Sequence, residues 1–444
     1  MLKSTLAVLL LCQLVFAFDR QPNADYQARR KALAESTKGG AVLLFASTEE
    51  EGPNDIYGYR PDNNFFYLSG WSEPGAALLI VAPMEAKEDR PASAYTEILF
   101  LPAHNRVQEK WTGPKLGPED AEALKVTGFD KVEPLDSLRD ELTRLLPATG
   151  ANLFTDVPGP GLNSNSSMPL QWLRRANAFP LGVAMEDARP MIAALRVRKD
   201  DREVALIQKA VDASIAAHFA ALHTVKPDIT EREVSALLQY EWGKRGCERP
   251  AYSPIVGAGF NSTVLHYSDD SGVARDGDVL LIDAAGEYSL YASDITRTMP
   301  VNGKFTARQR EIYDIVLGAQ KAAMSAFQSG KSTLKKETPN SLFKVAYDYI
   351  NTHGKDLHGQ PLGKYFFHGL GHYVGLEVHD VGDYTVPLAP GMVFTIEPGI
   401  YIPEEKLGVR IEDMYYVDKS GKLVQMTAAL PHTAEEVEQE MARR

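Results

Sequence analysis

The sequence predicts an α+β protein in two parts, a smaller α/β domain over residues 18–190 and a larger domain over residues 191–444. Three observations carry that reading. Residues 26 to 179 alternate short apolar β-type runs with helical stretches, as an α/β domain does. From Asp200 onward, amphipathic helical segments alternate with strand-like runs. In the last third, Asp283, Asp294, His372, Glu397 and Glu412 sit among those runs, four carboxylates and one imidazole.

Met1-Leu-Lys-Ser-Thr, the apolar stretch from Leu6 to Phe16 and the end Val15-Phe-Ala17 read as a signal peptide over residues 1–17. The run is short for a membrane span, so a secreted or periplasmic protein is expected. Cleavage after Ala17 removes Cys12 and leaves Cys247 without a disulfide partner. Cys247 reads as an inert, partly buried thiol, although its charged neighbours Lys244-Arg-Gly-Cys-Glu-Arg could lower its pKa enough to make it oxidisable. In the first domain Ala41–Phe45, Ala77–Val81 and Glu97–Leu101 are expected strands, and Pro118 to Lys125 looks helical. Arg189-Pro190 and Leu195-Arg-Val-Arg-Lys-Asp-Asp mark the domain boundary. Helices are expected near 201–223, 230–245, 306–328 and 340–353, packed outside a ligand-bearing sheet.

The 444 residues are 44% apolar and 24% charged, with a net charge of −12. That composition suits an ordinary globular protein. Its acidic balance offers no electrostatic footprint for nucleic acid or an anionic membrane.

Each candidate ligand has its own context. Asp278-Val-Leu-Leu-Ile-Asp283 reads as a buried strand ending in a carboxylate, and Asp294 follows eleven residues later. A hairpin between them would hold both aspartates on one face. Val393-Phe-Thr-Ile-Glu397 and Val409-Arg-Ile-Glu412 repeat the pattern. An unpaired charge among such β-branched and aromatic residues is costly, so each acid needs a cation or a hydrogen-bonding partner. Four carboxylates neutralise two divalent cations, and oxygen donors with a single nitrogen suit manganese or cobalt. His368-Gly-Leu-Gly-His372-Tyr-Val-Gly-Leu-Glu-Val-His379-Asp380 places three of the ten histidines within twelve residues. No His-Glu-x-x-His, Gly-x-Ser-x-Gly or Gly-x-x-x-x-Gly-Lys motif is present. Gly257-Ala-Gly-Phe-Asn reads as a turn.

At these residues the chain resembles the proline peptidases of the pita-bread fold, the group that holds aminopeptidase P, prolidase, methionine aminopeptidase and creatinase. The histidine window fits the proline-peptidase signature at every constrained position, and Glu397-Pro-Gly and Arg410-Ile-Glu412-Asp413 occur in the family's order. The resemblance implies a C-terminal pita-bread catalytic domain behind a creatinase-type N-terminal domain. It implies that Asp283 binds one metal, that His372 and Glu397 bind the other, and that Asp294 and Glu412 bridge both. Zinc is a further candidate ion beside manganese and cobalt. The expected chemistry is attack of a metal-bridging hydroxide on the Xaa-Pro amide, with Glu397 as proton shuttle.

The resemblance also places His266, His368 and His379 at the proline pocket and the developing oxyanion, helped by Arg410 and Tyr401. His368 is equally open to a structural hydrogen bond, and Arg410 to an ion pair with a ligand carboxylate. Tyr59-Arg60-Pro-Asp-Asn-Asn64-Phe-Phe-Tyr-Leu-Ser-Gly-Trp-Ser-Glu-Pro resembles the first domain of aminopeptidase P. There Trp111 matches a tryptophan that shapes a neighbouring subunit's substrate site, which implies a homo-oligomer, a dimer or tetramer; an ordinary core or surface-patch aromatic is the alternative. Asn64 departs from an aspartate found in relatives, which puts a second cross-subunit contact in doubt. The expected activity is release of the N-terminal residue from peptides with proline in second position. Prolidase is the alternative, and a non-catalytic binding protein a third reading. Asn165-Ser-Ser and Asn261-Ser-Thr fit glycosylation sequons.

Overall fold

A six-stranded mixed sheet organises the first domain, in the order Lys131–Pro134, Thr96–Leu101, Ala77–Val81, Ala41–Phe45, Leu153–Thr155, Met185–Asp187. The computed structural model describes residues 18–48, 56–86, 92–149, 152–157, 168–176 and 183–443. The expected signal peptide and Asn165 lie outside the described residues. The three expected strands form, and Ala41–Phe45 pairs antiparallel with Ala77–Val81, Ala41 opposite Val81. The helix expected from Pro118 to Lys125 is instead the short Ala123–Thr127, ended by Gly128 at φ 70°.

The sheet ends at Met185–Asp187, and the helix Arg189–Arg196, with Pro190 in its first turn, leads into the second domain. Long helices follow at Asp201–Thr224, Glu231–Gly243, Ala307–Ala326 and Leu342–His353, close to the expected spans. Three begin with reciprocal capping boxes, Asp200 with Glu203, Thr230 with Glu233, and Thr306 with Gln309. Each box satisfies two orphan donors at a helix start, which is why the starts are legible in sequence.

Between the helices run two antiparallel ladders. In the first, Val279–Asp283 lies between Ile255–Ala258 and Thr296–Pro300, with Asp283 opposite both Ile255 and Thr296. In the second, Val393–Ile396 pairs with Asp413–Val417, Ile396 opposite Asp413. Glu412 donates its backbone N–H to the Thr296 carbonyl at 3.1 Å and joins the two. Gly257, expected in a turn, is inside the strand Ile255–Ala258 because its missing side chain leaves room for the Asn261 backbone; a Cβ there would lie 2.8 Å from the Asn261 carbonyl carbon.

One buried apolar cluster crosses the domain boundary. Phe65, Phe66 and Leu68 of the first domain belong to it with Ile207, Val211, Tyr291, Val374, Leu376 and Met414 of the second. Arg60 reinforces the junction through Glu287 at 2.9 Å and the Leu376 carbonyl at 2.6 Å. Cys247 is buried, and burial together with the Glu248 and Glu287 charges pushes its thiol up to about 12. The lowered pKa suggested by its sequence neighbours is therefore reversed, because desolvation outweighs the nearby cations.

Candidate metal centre and active site

The ladder ends bring all five candidate ligands together. Asp283 is the last residue of its strand, Glu397 directly follows Val393–Ile396, and Glu412 directly precedes Asp413–Val417. Asp294 does not lie on a strand as expected. A second hairpin, Gly286–Tyr288 with Tyr291–Ala292, is inserted between the aspartates, and Asp294 sits in the link before Thr296–Pro300. Its turn uses Ser289 at φ 48° and Leu290 at φ 69°, left-handed conformations that leucine seldom adopts. His372 is fixed against the second ladder. Its N–H meets Thr395 Oγ1 at 3.2 Å and its carbonyl accepts from Thr395 N at 2.9 Å. A Cβ on the preceding Gly371 would lie 2.0 Å from the Thr395 carbonyl oxygen, so glycine permits this close approach.

His372 Nε2 faces three carboxylates, Asp294 at 3.3 Å, Glu397 at 3.5 Å and Glu412 at 3.9 Å. Its Nδ1 donates to the Tyr373 carbonyl at 3.2 Å, the bond that presents Nε2 as a ligand. Donor atoms of Asp294, His372 and Glu412 all lie within 4.8 Å of one another. Glu412 Oε1 is buried with no hydrogen-bond partner. Tyr252 Oη lies 2.7 Å from Asp283 Oδ1 and 2.6 Å from Asp294 Oδ1, yet a phenol has a single proton to give.

The electrostatics express the same deficit. Burial and neighbouring carboxylates push Asp283 and Glu412 above their ordinary range. Burial raises Glu397 to about 7 against the pull of His372 and Arg410. His372 is held at about 9 because Asp294 and Glu397 overcome its burial. The His372 bond in turn holds Asp294 low although burial opposes it. Four carboxylates around one imidazole, with an orphaned acceptor among them, fit divalent cations held by oxygen and a single nitrogen.

The ligands line a cavity of about 520 Å³ together with His266, His368, His379 and Arg410. The His379 ring lies 4.0 Å from that of His372. Arg410 uses three of its five N–H groups. It donates to Asp283 Oδ2 at 2.6 Å, Tyr401 Oη at 2.8 Å and Thr296 Oγ1 at 3.1 Å. Having accepted from Arg410, the Tyr401 hydroxyl gives its own proton to His368 Nε2 at 2.9 Å. Burial and the Arg410 charge hold His368 at about 3, hence neutral, so its remaining proton is on Nδ1, 3.8 Å from Glu397 Oε2.

Tyr401, expected at the substrate, is 1% exposed and is not among the residues lining the cavity. Trp111, on the short helix Glu109–Thr112, is 84% exposed and outside the cavity of its own chain, so the core alternative fails. Asn64 accepts from Arg196 Nη1 at 2.7 Å within its own chain. Sequence reasoning missed Tyr252 and Tyr384, both cavity residues. Tyr252 stands alone in Pro250-Ala-Tyr-Ser-Pro254, where no periodicity singles it out. Also missed was the clamp behind His379. There the buried Asp380 pairs with Arg196 at 2.5 Å and Lys199 at 2.8 Å, both from the interdomain segment.

Residues 205–419 match metallopeptidase family M24, and residues 26–154 match the aminopeptidase P N-terminal domain. The chain is 33% identical to the Xaa-Pro aminopeptidase of Haemophilus influenzae, over 94% of this chain and 97% of the relative. Among solved structures, proline aminopeptidase P II from Yersinia pestis is similar at a TM-score of 0.81 and 31% identity, over 96% of this chain and all of that one. Escherichia coli aminopeptidase P with the inhibitor Pro-Leu is similar at 0.81 and 30%, over 96% of this chain and 99% of that one. The chain belongs to the Xaa-Pro aminopeptidases of metallopeptidase family M24, a catalytic pita-bread domain behind an aminopeptidase P N-terminal domain.

Proposed function

We propose that this chain releases the N-terminal residue from peptides whose second residue is proline, using two divalent cations, manganese foremost, with cobalt or zinc as substitutes. The observation that carries the reading is His372 Nε2 facing three carboxylates, the buried Asp294 and Glu412 and the partly buried Glu397, in a cavity that three further histidines share. Asp283, Asp294, His372, Glu397 and Glu412 would hold the ions, which when bound lower the pKa of a water and polarise the scissile carbonyl. Glu397, beside His372, would take the proton of the attacking water and deliver it to the proline nitrogen. The Arg410–Tyr401 relay keeps the His368 proton on Nδ1, on the Glu397 side, and His379 and His266 offer further donors for the carbonyl oxygen as it gains charge.

The state of Arg410 favours an aminopeptidase over a prolidase. A dipeptidase needs a cation for the free proline carboxylate, and among the described residues the sole arginine or lysine lining the cavity is Arg410, whose charge is already paired with Asp283. The 84% exposure of Trp111 supports a homo-oligomer in which the helix Glu109–Thr112 reaches a neighbour's cavity. We further propose a signal peptide at residues 1–17, secretion or periplasmic export, and a domain division at residue 190. The test is hydrolysis of Xaa-Pro, Xaa-Pro-Xaa and a longer Xaa-Pro peptide by metal-stripped protein titrated with manganese(II). Release of the first residue from the longer peptides, saturating at two equivalents, is expected. Activity on the dipeptide alone would reassign the chain to prolidase chemistry, and none at any metal level would reject the metal site.

A further inference from the structure

The helix Asp201–Thr224 touches no candidate ligand, yet it reaches both loops that carry the aspartate pair. Ser214 and His218, one turn apart on its buried face, are both fully buried. His218 Nε2 donates to the carbonyl of Ala284, the residue after Asp283, at 3.0 Å. Burial, with the Arg297 charge nearby, holds His218 at about 4, so it is neutral and its single N–H is committed to that carbonyl.

Ser214 closes a ring of three hydrogen bonds. Gly286 N–H donates to Ser214 Oγ at 2.9 Å, Ser293 Oγ donates to the Gly286 carbonyl at 2.8 Å, and the Ser214 hydroxyl is left to donate to Ser293 Oγ at 3.0 Å. Each group gives one proton and accepts one, an arrangement in which the bonds reinforce one another. Ser293 directly precedes Asp294. The two limbs of the inserted hairpin are thus tied to one rigid helix at Ala284, Gly286 and Ser293, one to three residues from Asp283 and Asp294.

We propose that Ser214 and His218 are positioning residues that set the spacing of Asp283 and Asp294, and so govern how tightly the centre holds its metal. Among the described residues, Ser214 and His218 are the side chains from outside the hairpin that bond these backbone groups. Because the hairpin's turn places Ser289 and Leu290 at positive φ, its limbs lack a relaxed geometry of their own to fall back on. The inference rests on the metal-centre reading under Proposed function, and its test separates the two.

Metal-stripped full-length protein is titrated with manganese(II), following binding by calorimetry and by the loss of free-ion magnetic resonance signal, for wild type, His218→Leu, His218→Gln and Ser214→Ala. Loss of an outer partner of this kind weakens metal binding about 10- to 100-fold, and that fall is expected for His218→Leu. Glutamine retains an N–H for the Ala284 carbonyl and is expected to restore binding to within about threefold of wild type, a rescue that mere cavity filling would not give. Unchanged affinity in folded His218→Leu, or equal loss in the leucine and glutamine variants, overturns the proposal. Should the leucine variant fail to fold, Ser214→Ala carries the same expectation and the same refutation. Wild type that binds no manganese refutes the metal centre itself.

Discussion

Asp380→Asn tests the charge balance at the domain junction. Asp380 is a single carboxylate, about 1% exposed, bonded to two equally buried cations, Arg196 at 2.5 Å and Lys199 at 2.8 Å. Asparagine keeps a hydrogen-bonding carbonyl but removes the charge, which leaves a guanidinium and an ammonium uncompensated. Breaking a buried pair costs about 3–5 kcal/mol. At roughly 1 °C per kcal/mol for a chain of this size melting as one unit, the melting temperature should fall by about 3–6 °C. The structure also supplies a suppressor. Asn64 Oδ1 is 2.7 Å from Arg196 Nη1, so Asn64→Asp places a replacement carboxylate on one of the two cations. The gain of a charged over a neutral hydrogen bond is about 1–2 kcal/mol. Thermal or urea melts of the two single variants and the double variant form a closed cycle, and a positive coupling of at least ~1 kcal/mol is expected. Additive effects would refute the charge-compensation argument, whatever the size of the single losses.

Three other outcomes are expected. Glu397→Ala or His372→Ala should lower kcat at least about a thousandfold, while Glu397→Ala leaves the metal-free protein no less stable, since one of four crowded carboxylates is gone; near-normal turnover with full metal content would reject the site. Trp111→Ala should raise KM for peptides more than it lowers kcat, with an unchanged melting temperature, because the side chain is 84% exposed and has no core role; a loss of stability with KM unchanged would reject its place at a neighbour's cavity. Glu248, raised by burial from 4.5 to about 7, binds its proton more tightly in the folded state, so its contribution falls as pH climbs from about 4.5 to 7. That interval corresponds to ~3 kcal/mol at 1.36 kcal/mol per pH unit, roughly halved for its part exposure. Glu248→Gln should therefore gain about 1–2 kcal/mol on wild type between pH 5 and pH 8, and a flat difference in urea melts across that range would contradict this.

The convergence of the five candidate ligands was legible because Asp283, Glu397 and Glu412 stand at the ends of apolar strand runs, and because His368, His372 and His379 share one window. Helix starts were legible through their caps, as at Asp200 and Thr306. What escaped are contacts that join distant parts of the chain. The Arg196–Asp380 pair spans 184 residues and the Tyr252–Asp294 pair 42. Arg196 and Lys199 read only as a charged boundary, since nothing local reveals which buried carboxylate they will meet. The second hairpin, inserted within the expected one, was hidden for a different reason. Its turn, Ser289-Leu290, lacks the Asn-Gly or Asp-Gly chemistry that announces positive φ, because packing rather than propensity holds it there. Exposure of Trp111 was likewise beyond the sequence, which cannot say whether a tryptophan faces its own core or outward.

The apolar cluster that crosses the domain boundary bears on how the chain can be cut. Phe65 and Leu68 share one core with Val374 and Met414, so the two domains melt as one unit. A fragment limited to the peptidase-matching residues 205–419 would carry its share of that cluster, Ile207, Val211, Val374 and Met414 among it, as bare apolar surface and would aggregate rather than serve as a minimal enzyme. For the same reason the first domain is not an exchangeable module. A graft from a relative must bring complementary side chains on both sides of the seam, which ties the divergence of the two halves to each other.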